Sequence, residues 1–171
     1  FPAMQLCNTV FGSGMTSKLF VNVREKLSLC YSVGSAYYGG KGIIAVAAGI
    51  DGENQETTKA EILRQLEDCQ KGQITAQELE AARQTLLSSL RSIHDSPGAI
   101  ENYCITSELG GLPLTISEYM TAVAAVTIEQ VAVILWNYAG NPTPTGNAAS
   151  VGAHSGWAAN ALGWAVGSGI L

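Results

Sequence analysis

Apolar residues recur at helical spacing through the middle of the chain and predict two long helices. Residues 51–71 place Ala60, Ile62, Leu63 and Leu66 on one side and charged residues on the other, with Gly72 as the C-cap. A second helix runs from 76 to about Ile93 and has the longest apolar stripe in the chain. Its predicted buried residues are Leu79, Ala82, Leu86, Leu87 and Leu90.

Polar residues mark where the helices begin. Thr75 and Glu78 have the spacing of a capping box, and Thr115–Glu118 and Thr127–Gln130 repeat it. Ser96 followed by Pro97 is typical of an N-cap with proline in the first turn. Gly110 and Gly111 then interrupt the chain. These signals predict helices at 76–93, 97–109, 116–125 and 128–138.

Two short runs predict strands that form an antiparallel hairpin. The segment 31–38 has aromatic residues at both ends, and 43–50 is a continuous apolar run, with the Gly39–Gly42 cluster as the turn between them. The absence of polar residues from 43–50 predicts a central strand that is buried on both faces.

A short helix before this hairpin brings a cation close to a phenol. Leu19, Phe20, Val23 and Leu27 form its predicted buried stripe, capped at the start by Ser13 or Thr16. Arg24 lies beside the stripe near the C-terminal end, and Tyr31 opens the strand seven residues later. A permanently charged guanidinium and a phenolic donor can together stabilise a substrate carbonyl or a developing oxyanion. The alternative is an arginine that caps the helix and a half-buried tyrosine.

Length, net charge and cysteine spacing limit the classes of protein to which the chain could belong. The 171 residues fit one domain with a sizeable core, and the net charge of −5 argues against a nucleic-acid-binding role. Cys7, Cys30, Cys69 and Cys104 show no paired spacing, which favours free thiols and a reducing compartment over a disulfide framework.

The sequence offers no nucleotide loop and no zinc motif. Its glycines match neither phosphate-binding pattern. His94 has no histidine four residues away, and His154 lies in a stretch without acidic residues, so neither is expected to bind metal.

The end of the chain differs in composition from the rest. All 23 charged residues lie at or before Glu129, and residues 139–171 are an uncharged segment rich in Gly, Ala, Ser and Trp. We consider three interpretations: a foreign or frame-shifted end that packs poorly, a weakly membrane-associating segment with a Gly152-x-x-x-Gly156 pattern, and a glycine-rich terminal strand pair. The first is preferred because of the abrupt change.

Residues 11–33 read F-G-S-G-M-T-S-K-L-F-V-N-V-R-E-K-L-S-L-C-Y-S-V. This segment resembles the second-half, inactive domain of the insulinase/pitrilysin zinc peptidases, which include the mitochondrial processing peptidase. The likeness continues through A-G-I-D, K-G-Q-I-T-A-Q-E-L-E-A-A-R and V-T-I-E-Q-V-A. Against the family's usual R-E-K-x-G-L-A-Y, this chain has Ser28 for Gly and Cys30 for Ala. The resemblance implies an N-terminally truncated half domain over 1–138, with an α+β fold in which helices pack on one side of a mainly antiparallel sheet. It also implies a piece of a longer polypeptide.

In that family two homologous halves enclose a peptide. One half carries zinc on H-x-x-E-H, and the other contributes an Arg and a Tyr seven apart at the scissile bond. The resemblance therefore implies that Arg24 and Tyr31 are the catalytic residues of this chain, which binds no cofactor or metal itself. The expected partners are a zinc-bearing half, in the same polypeptide or a second subunit, and a peptide substrate. We expect a bacterial-type cytoplasmic location, no nucleic acid or membrane partner, and no hydrolysis by this chain alone. The alternatives are a structural or assembly subunit and a peptide-binding module.

Overall fold

The protein is described by a computed structural model over residues 1–71, 73–127, 130–131, 133–134, 137, 143–144, 146, 148 and 156–167. Within these residues helices predominate over strands. The helices are α1 (Pro2–Phe11), α2 (Gln55–Gln70), α3 (Ala76–Ser92), α4 (Pro97–Leu109), α5 (Ile116–Ala124) and α6 (Ala159–Gly167). A π-helix (Leu19–Lys26) and the strands β1 (Ser32–Tyr38) and β2 (Ile43–Gly49) lie between α1 and α2. This arrangement confirms the predicted α+β class.

The core forms between α1 and α3, which are in contact. On α1, Leu6 is fully buried and Val10 and Phe11 are almost so. The stripe predicted for α3 is confirmed in full, because all five of its apolar residues are buried. A side chain of this kind contributes roughly 1.5–3 kcal/mol when it is removed from water, so the α1–α3 contact is a major source of stability.

The two strands form the predicted antiparallel hairpin, in which Ser32 pairs with Gly49 and Tyr38 pairs with Ile43. One face packs on α1, where the Ser35 hydroxyl donates to the Asn8 side-chain oxygen at 2.7 Å. The prediction that the second strand is buried on both faces is wrong, since Ile43 is 49% exposed. Its burial depends on neighbouring strands, and the described residues form a sheet of two.

The buried face of α2 also differs from the prediction. Ala60 and Leu63 are exposed, whereas Thr58, Gln65 and Cys69 are buried. Polar side chains are accommodated because they are hydrogen-bonded: Gln65 accepts from Asn22 at 2.7 Å and donates to Glu61 at 2.7 Å.

The segment before the hairpin is a π-helix rather than an α-helix. Leu19 and Val23 are buried as predicted, but Leu27 lies beyond the helix end and is exposed. Neither Ser13 nor Thr16 caps this helix, because its N-cap position is Lys18, without a side-chain cap. The Ser17 hydroxyl, one residue earlier, accepts from the Phe20 N–H at 3.3 Å. The predicted stripe assumed 3.6 residues per turn, and a π-helix has a wider turn.

The predicted helix starts are confirmed for α3, α4 and α5. Complete capping boxes open α3 at Thr75 and α5 at Thr115, and the Ser96 hydroxyl accepts from the Ala99 N–H to cap α4. The third box is formed as well, since Gln130 accepts from the Thr127 N–H at 3.0 Å. Gly111 supplies the predicted break with a positive φ of 69°.

Several predictions lie partly or wholly outside the described residues. These are the Gly72 cap, most of the helix at 128–138, the residues around His154 and most of 139–171. Within the described part of the tail, Ala158, Ala161 and Leu162 are buried, and the origin of residues 139–171 stays a prediction. No helix in the part of the chain that the structure describes is long and apolar enough to cross a membrane.

Candidate functional site

Arg24 lies on the last turn of the π-helix with its side chain 38% exposed. Its Nε donates to the backbone carbonyl of Tyr31 at 3.1 Å, and its Nη1 contacts the Glu25 carboxylate at 3.1 Å. The guanidinium carbon lies 4.6 Å from the centre of the Phe20 ring, a cation–π contact. A guanidinium has five N–H donors, so these contacts orient the group while Nη2 is in neither hydrogen bond.

A left-handed residue turns the chain from the π-helix towards Tyr31. Ser28 has a φ of 52°, and the following N–H, of Leu29, donates to the Val23 carbonyl at 3.1 Å. A residue in this conformation commonly ends a helix because it lets later N–H groups reach the last carbonyls. The reversal brings the backbone of Tyr31 back to the Arg24 side chain.

The Tyr31 side chain is 72% exposed and lies over Gly49. Its N–H donates to the Gly49 carbonyl at 3.0 Å. A Cβ added at Gly49 would lie 2.3 Å from Cε2 of the Tyr31 ring, so glycine at this position allows the ring to rest on the strand. The Arg24 side chain thus contacts Tyr31 through the Tyr31 backbone carbonyl. That the guanidinium and the phenol hydroxyl meet at one substrate group stays a prediction.

The thiol between these two residues is not activated. Cys30 is buried, and burial raises the pKa of its thiol, an effect that the Arg24 guanidinium opposes. Burial also raises the pKa of Cys7 and of Cys69 to about 12. A raised pKa disfavours the thiolate, which is the nucleophilic and metal-binding form, so these three buried cysteines are suited to packing. All four cysteines are free, as predicted, although Cys104 is exposed.

The described residues do not fit a zinc ion. No three His, Cys, Asp or Glu side chains among them are grouped so as to hold a metal. His94 lies in an exposed turn after α3.

A groove adjoins the Arg24 side of the site. It is a cavity of about 580 Å³ between the Gly12–Met15 turn and the hairpin. Phe20, the ring under the Arg24 guanidinium, forms part of its wall. The groove and the arginine thus share one aromatic side chain.

The described residues form a helix-rich α+β domain in which the Arg24 side chain lies beside the backbone of Tyr31. Residues 2–86 match the family described as "Peptidase M16 inactive domain". The chain belongs to the M16 peptidase family through this inactive domain, which confirms the resemblance to the insulinase/pitrilysin peptidases.

Named relatives agree with this assignment. The chain is 27% identical over 131 residues to the "Probable inactive metalloprotease YmfF" of Bacillus subtilis and 35% identical over 89 residues to an "Uncharacterized zinc protease" of Rickettsia bellii. A crystal structure of a conserved protein from Enterococcus faecalis V583 superposes with a TM-score of 0.67 at 32% identity. These alignments cover 77%, 51% and 79% of this chain but only 31%, 21% and 32% of the three proteins.

Sequence reasoning missed Phe20 and Gly49 as parts of the site. Phe20 was predicted as core, because its apolar character fits a buried stripe, but its ring also contacts the Arg24 guanidinium. The spacing of four residues between Phe20 and Arg24 is a usable signal, because residues four apart lie on one side of a helix. Gly49 has no such signal, since its contact with Tyr31 depends on the hairpin register.

Proposed function

We propose that this chain is the non-catalytic, substrate-binding half of a zinc-dependent peptidase. In this role it forms one wall of the substrate chamber and supplies Arg24 and Tyr31 to an active site completed by a second half. Zinc, its ligands and the general base would belong to that second half. The observation that carries the proposal is the fixed, half-exposed guanidinium of Arg24, held by the Tyr31 carbonyl at 3.1 Å and by the Phe20 ring.

The contacts of Arg24 favour a substrate role over a capping role. Its Nε and Nη1 are occupied by a backbone carbonyl and by Glu25, which set the plane of the group. The remaining N–H groups can donate to a substrate carbonyl oxygen as negative charge develops on it. A donor that is oriented in advance stabilises such charge without reorganisation during the reaction.

Tyr31 complements this donor. Its ring lies against Gly49, and the residue is 72% exposed. We assign it a second hydrogen bond to the same substrate group. The chain by itself then lacks the water-activating part of the reaction, and the purified chain is expected not to hydrolyse peptides.

The test uses the assembled peptidase, that is, this chain together with the half that carries H-x-x-E-H. Replacing Arg24→Ala is expected to lower kcat/KM for an internally quenched peptide by about a hundredfold or more, the usual effect of removing an oxyanion donor. Lys26→Ala is the matched control, because Lys26 is an exposed cation of the same helix that hydrogen-bonds Asn22.

Two results would contradict the proposal. Normal turnover by a correctly assembled Arg24→Ala enzyme would leave a structural or assembly role for this domain. Chelator-sensitive peptide cleavage by the purified chain alone, free of other peptidases, would show that it carries a complete active site.

A further inference from the structure

Two polar side chains of α2 are buried where this helix contacts the π-helix. Gln65 is 2% exposed and Thr58 is 1% exposed. They are seven residues apart in the sequence, so they lie on the same side of α2, about two turns or roughly 10 Å from each other. Each makes a hydrogen bond to the segment that carries Arg24 and Tyr31.

Gln65 holds the π-helix at Asn22. The Asn22 side-chain amide donates to the Gln65 side-chain oxygen at 2.7 Å, and the Gln65 amide donates to the Glu61 carboxylate at 2.7 Å. A hydrogen bond from Arg64 holds the pKa of Glu61 below its ordinary value, so this carboxylate acts as an acceptor. It therefore fixes which end of the Gln65 amide donates, and the Gln65 oxygen is left to face the π-helix.

Asn22 also closes the wide turn on which Arg24 lies. Its backbone carbonyl accepts from the Leu27 N–H at 3.2 Å, a bond between residues five apart, as is typical of a π-helix. Lys26 donates to the Asn22 side chain as well, but from an exposed position where water can replace it. The bond to Gln65 therefore ties the turn that carries Arg24 to α2.

Thr58 holds the other end of the same segment. Its hydroxyl donates to the Leu29 carbonyl at 3.3 Å, and Leu29 lies two residues before Tyr31. The Tyr31 carbonyl accepts from the Arg24 side chain. Arg24 thus lies between two points of the chain, Asn22 and Leu29, that are both anchored on α2.

We infer that Gln65 and Thr58 are positioning residues, which act through the π-helix to hold the Arg24 guanidinium in the direction that the reaction requires. This inference rests on the proposed function. An apolar pair of the same shape can replace a buried hydrogen-bonded pair at little cost in stability, but it does not fix a direction. Direction matters at an active site, because a misplacement of about 1 Å can lower a rate about a hundredfold.

The test is a double-mutant cycle of kcat/KM in the assembled peptidase that combines Gln65→Met with Arg24→Ala. Methionine keeps an unbranched side chain of similar length and removes the hydrogen bonds. Alone, Gln65→Met is expected to lower kcat/KM about tenfold, because the guanidinium loses its fixed direction. In the Arg24→Ala background it should change kcat/KM by less than about twofold, because no guanidinium is left to misplace. A purely structural role would lower the amount of folded enzyme and would cost the same factor in both backgrounds.

Thr9→Val is the matched control, because it removes a buried hydroxyl that is not bonded to the π-helix. Thr9 is 3% exposed, and its hydroxyl donates to the Gln5 carbonyl within α1 at 2.9 Å. This variant should keep kcat/KM within about twofold of the wild type. Thr58→Val should lower kcat/KM about fivefold or more, and Thr58→Ser, which keeps the hydroxyl, should restore it.

Asn22→Ala breaks the Gln65 bond from the π-helix side and should behave as Gln65→Met does, so the test stands even if one of the two variants fails to fold. If these substitutions cause no loss, or the same loss with and without Arg24, the inference is wrong. A large loss in Arg24→Ala would in that case still support the proposed function. Normal turnover by Arg24→Ala would instead overturn the proposed function, and this inference with it.

Discussion

Among the described residues, Ser28 is the non-glycine residue with a positive φ. It adopts a φ of 52°, in the left-handed region that glycine occupies without strain and that costs other L-residues roughly 1–2 kcal/mol. The resembling family usually has glycine here, and the structure gives the physical reason. The chain reversal at Ser28 brings the Tyr31 backbone against the Arg24 side chain.

We expect Ser28→Gly to raise the free energy of unfolding by up to about 1 kcal/mol, since relief of strain exceeds the extra entropy of glycine in the unfolded chain. Urea unfolding followed by circular dichroism measures the change. Ser88→Gly, at an exposed position in the middle of α3, is the control and should lower stability by about 0.5 kcal/mol. A loss of stability in Ser28→Gly as large as in this control would contradict the account.

At the scale of single residues, the sequence predicted the types and spacing of the candidate site residues but not the side chains that surround them. Arg24 and Tyr31 were predicted as site residues from their residue types and from the resemblance. Their supports, Phe20 and Gly49, become visible only after the hairpin and the π-helix are placed. The same applies to Gln65, which the pattern places on no particular face and which is buried by its bonds to Asn22 and Glu61.

At the scale of helices and strands, local sequence signals predicted where helices begin. Contacts between distant parts of the chain decided which faces are buried. Capping boxes act within four residues, so the starts of α3 and α5 could be read from the sequence. The exposure of β2 depends on strands that would lie beside it, and an apolar run cannot reveal them. The π-helix was missed because its wider turn still places Leu19 and Val23 on a buried face, as an α-helix would.

Arg83 links two elements that the sequence does not connect. From α3 its Nη1 donates to the carbonyls of Val123 at 2.7 Å and Ala124 at 3.2 Å, and its Nη2 donates to Val126 at 3.1 Å. The side chain is only 15% exposed. A cation at these carbonyls satisfies the end of α5 and complements the helix dipole.

Replacing Arg83→Ala is expected to lower the free energy of unfolding by about 2–3 kcal/mol, because three carbonyls, two of them in the buried residues Val123 and Val126, lose a charged donor. Arg83→Lys should recover part of the loss, since an ammonium group cannot span all three carbonyls. Arg91→Ala on the same helix is exposed and should change stability by less than about 0.5 kcal/mol. Thermal unfolding distinguishes the three variants, and equal stabilities for Arg83→Ala and Arg91→Ala would refute this role.

At the scale of the whole molecule, one ion pair ties the site region to the core helices. Lys18 precedes the π-helix and contacts Glu78 of α3 at 2.8 Å, with side chains 10% and 31% exposed. Burial alone would raise the pKa of the Glu78 carboxyl, but hydrogen bonds from Lys18 and Thr75 hold it below its ordinary value of 4.5. A carboxyl with a lowered folded pKa stabilises the protein above its unfolded pKa, and this contribution is lost as the pH falls.

The melting temperature is therefore expected to fall as the pH is lowered from about 6 to about 3, and Glu78→Gln should make the fall less steep. Glutamine keeps the capping box but leaves Lys18 without its partner, so stability at neutral pH drops by about 1–2 kcal/mol. Glu118→Gln is the control, because Glu118 has the same capping role at α5 without a lysine partner. A pH profile of Glu78→Gln that is parallel to the wild type would contradict the importance of this pair.

The chain spans about a third or less of the lengths of the three relatives named above. We propose that Arg24 and Tyr31 act together on one substrate group in an active site shared with a second half. Two donors to the same group should show coupled effects on the rate.

The most direct measurement is a double-mutant cycle of kcat/KM in the assembled peptidase with Arg24→Ala, Tyr31→Phe and the combined variant. We expect kcat/KM to fall about a hundredfold in Arg24→Ala and about tenfold or more in Tyr31→Phe, and the combined loss to be clearly smaller than the product of the two. A combined loss equal to that product, or single variants with normal turnover, would show that the two residues do not share a role at the scissile bond.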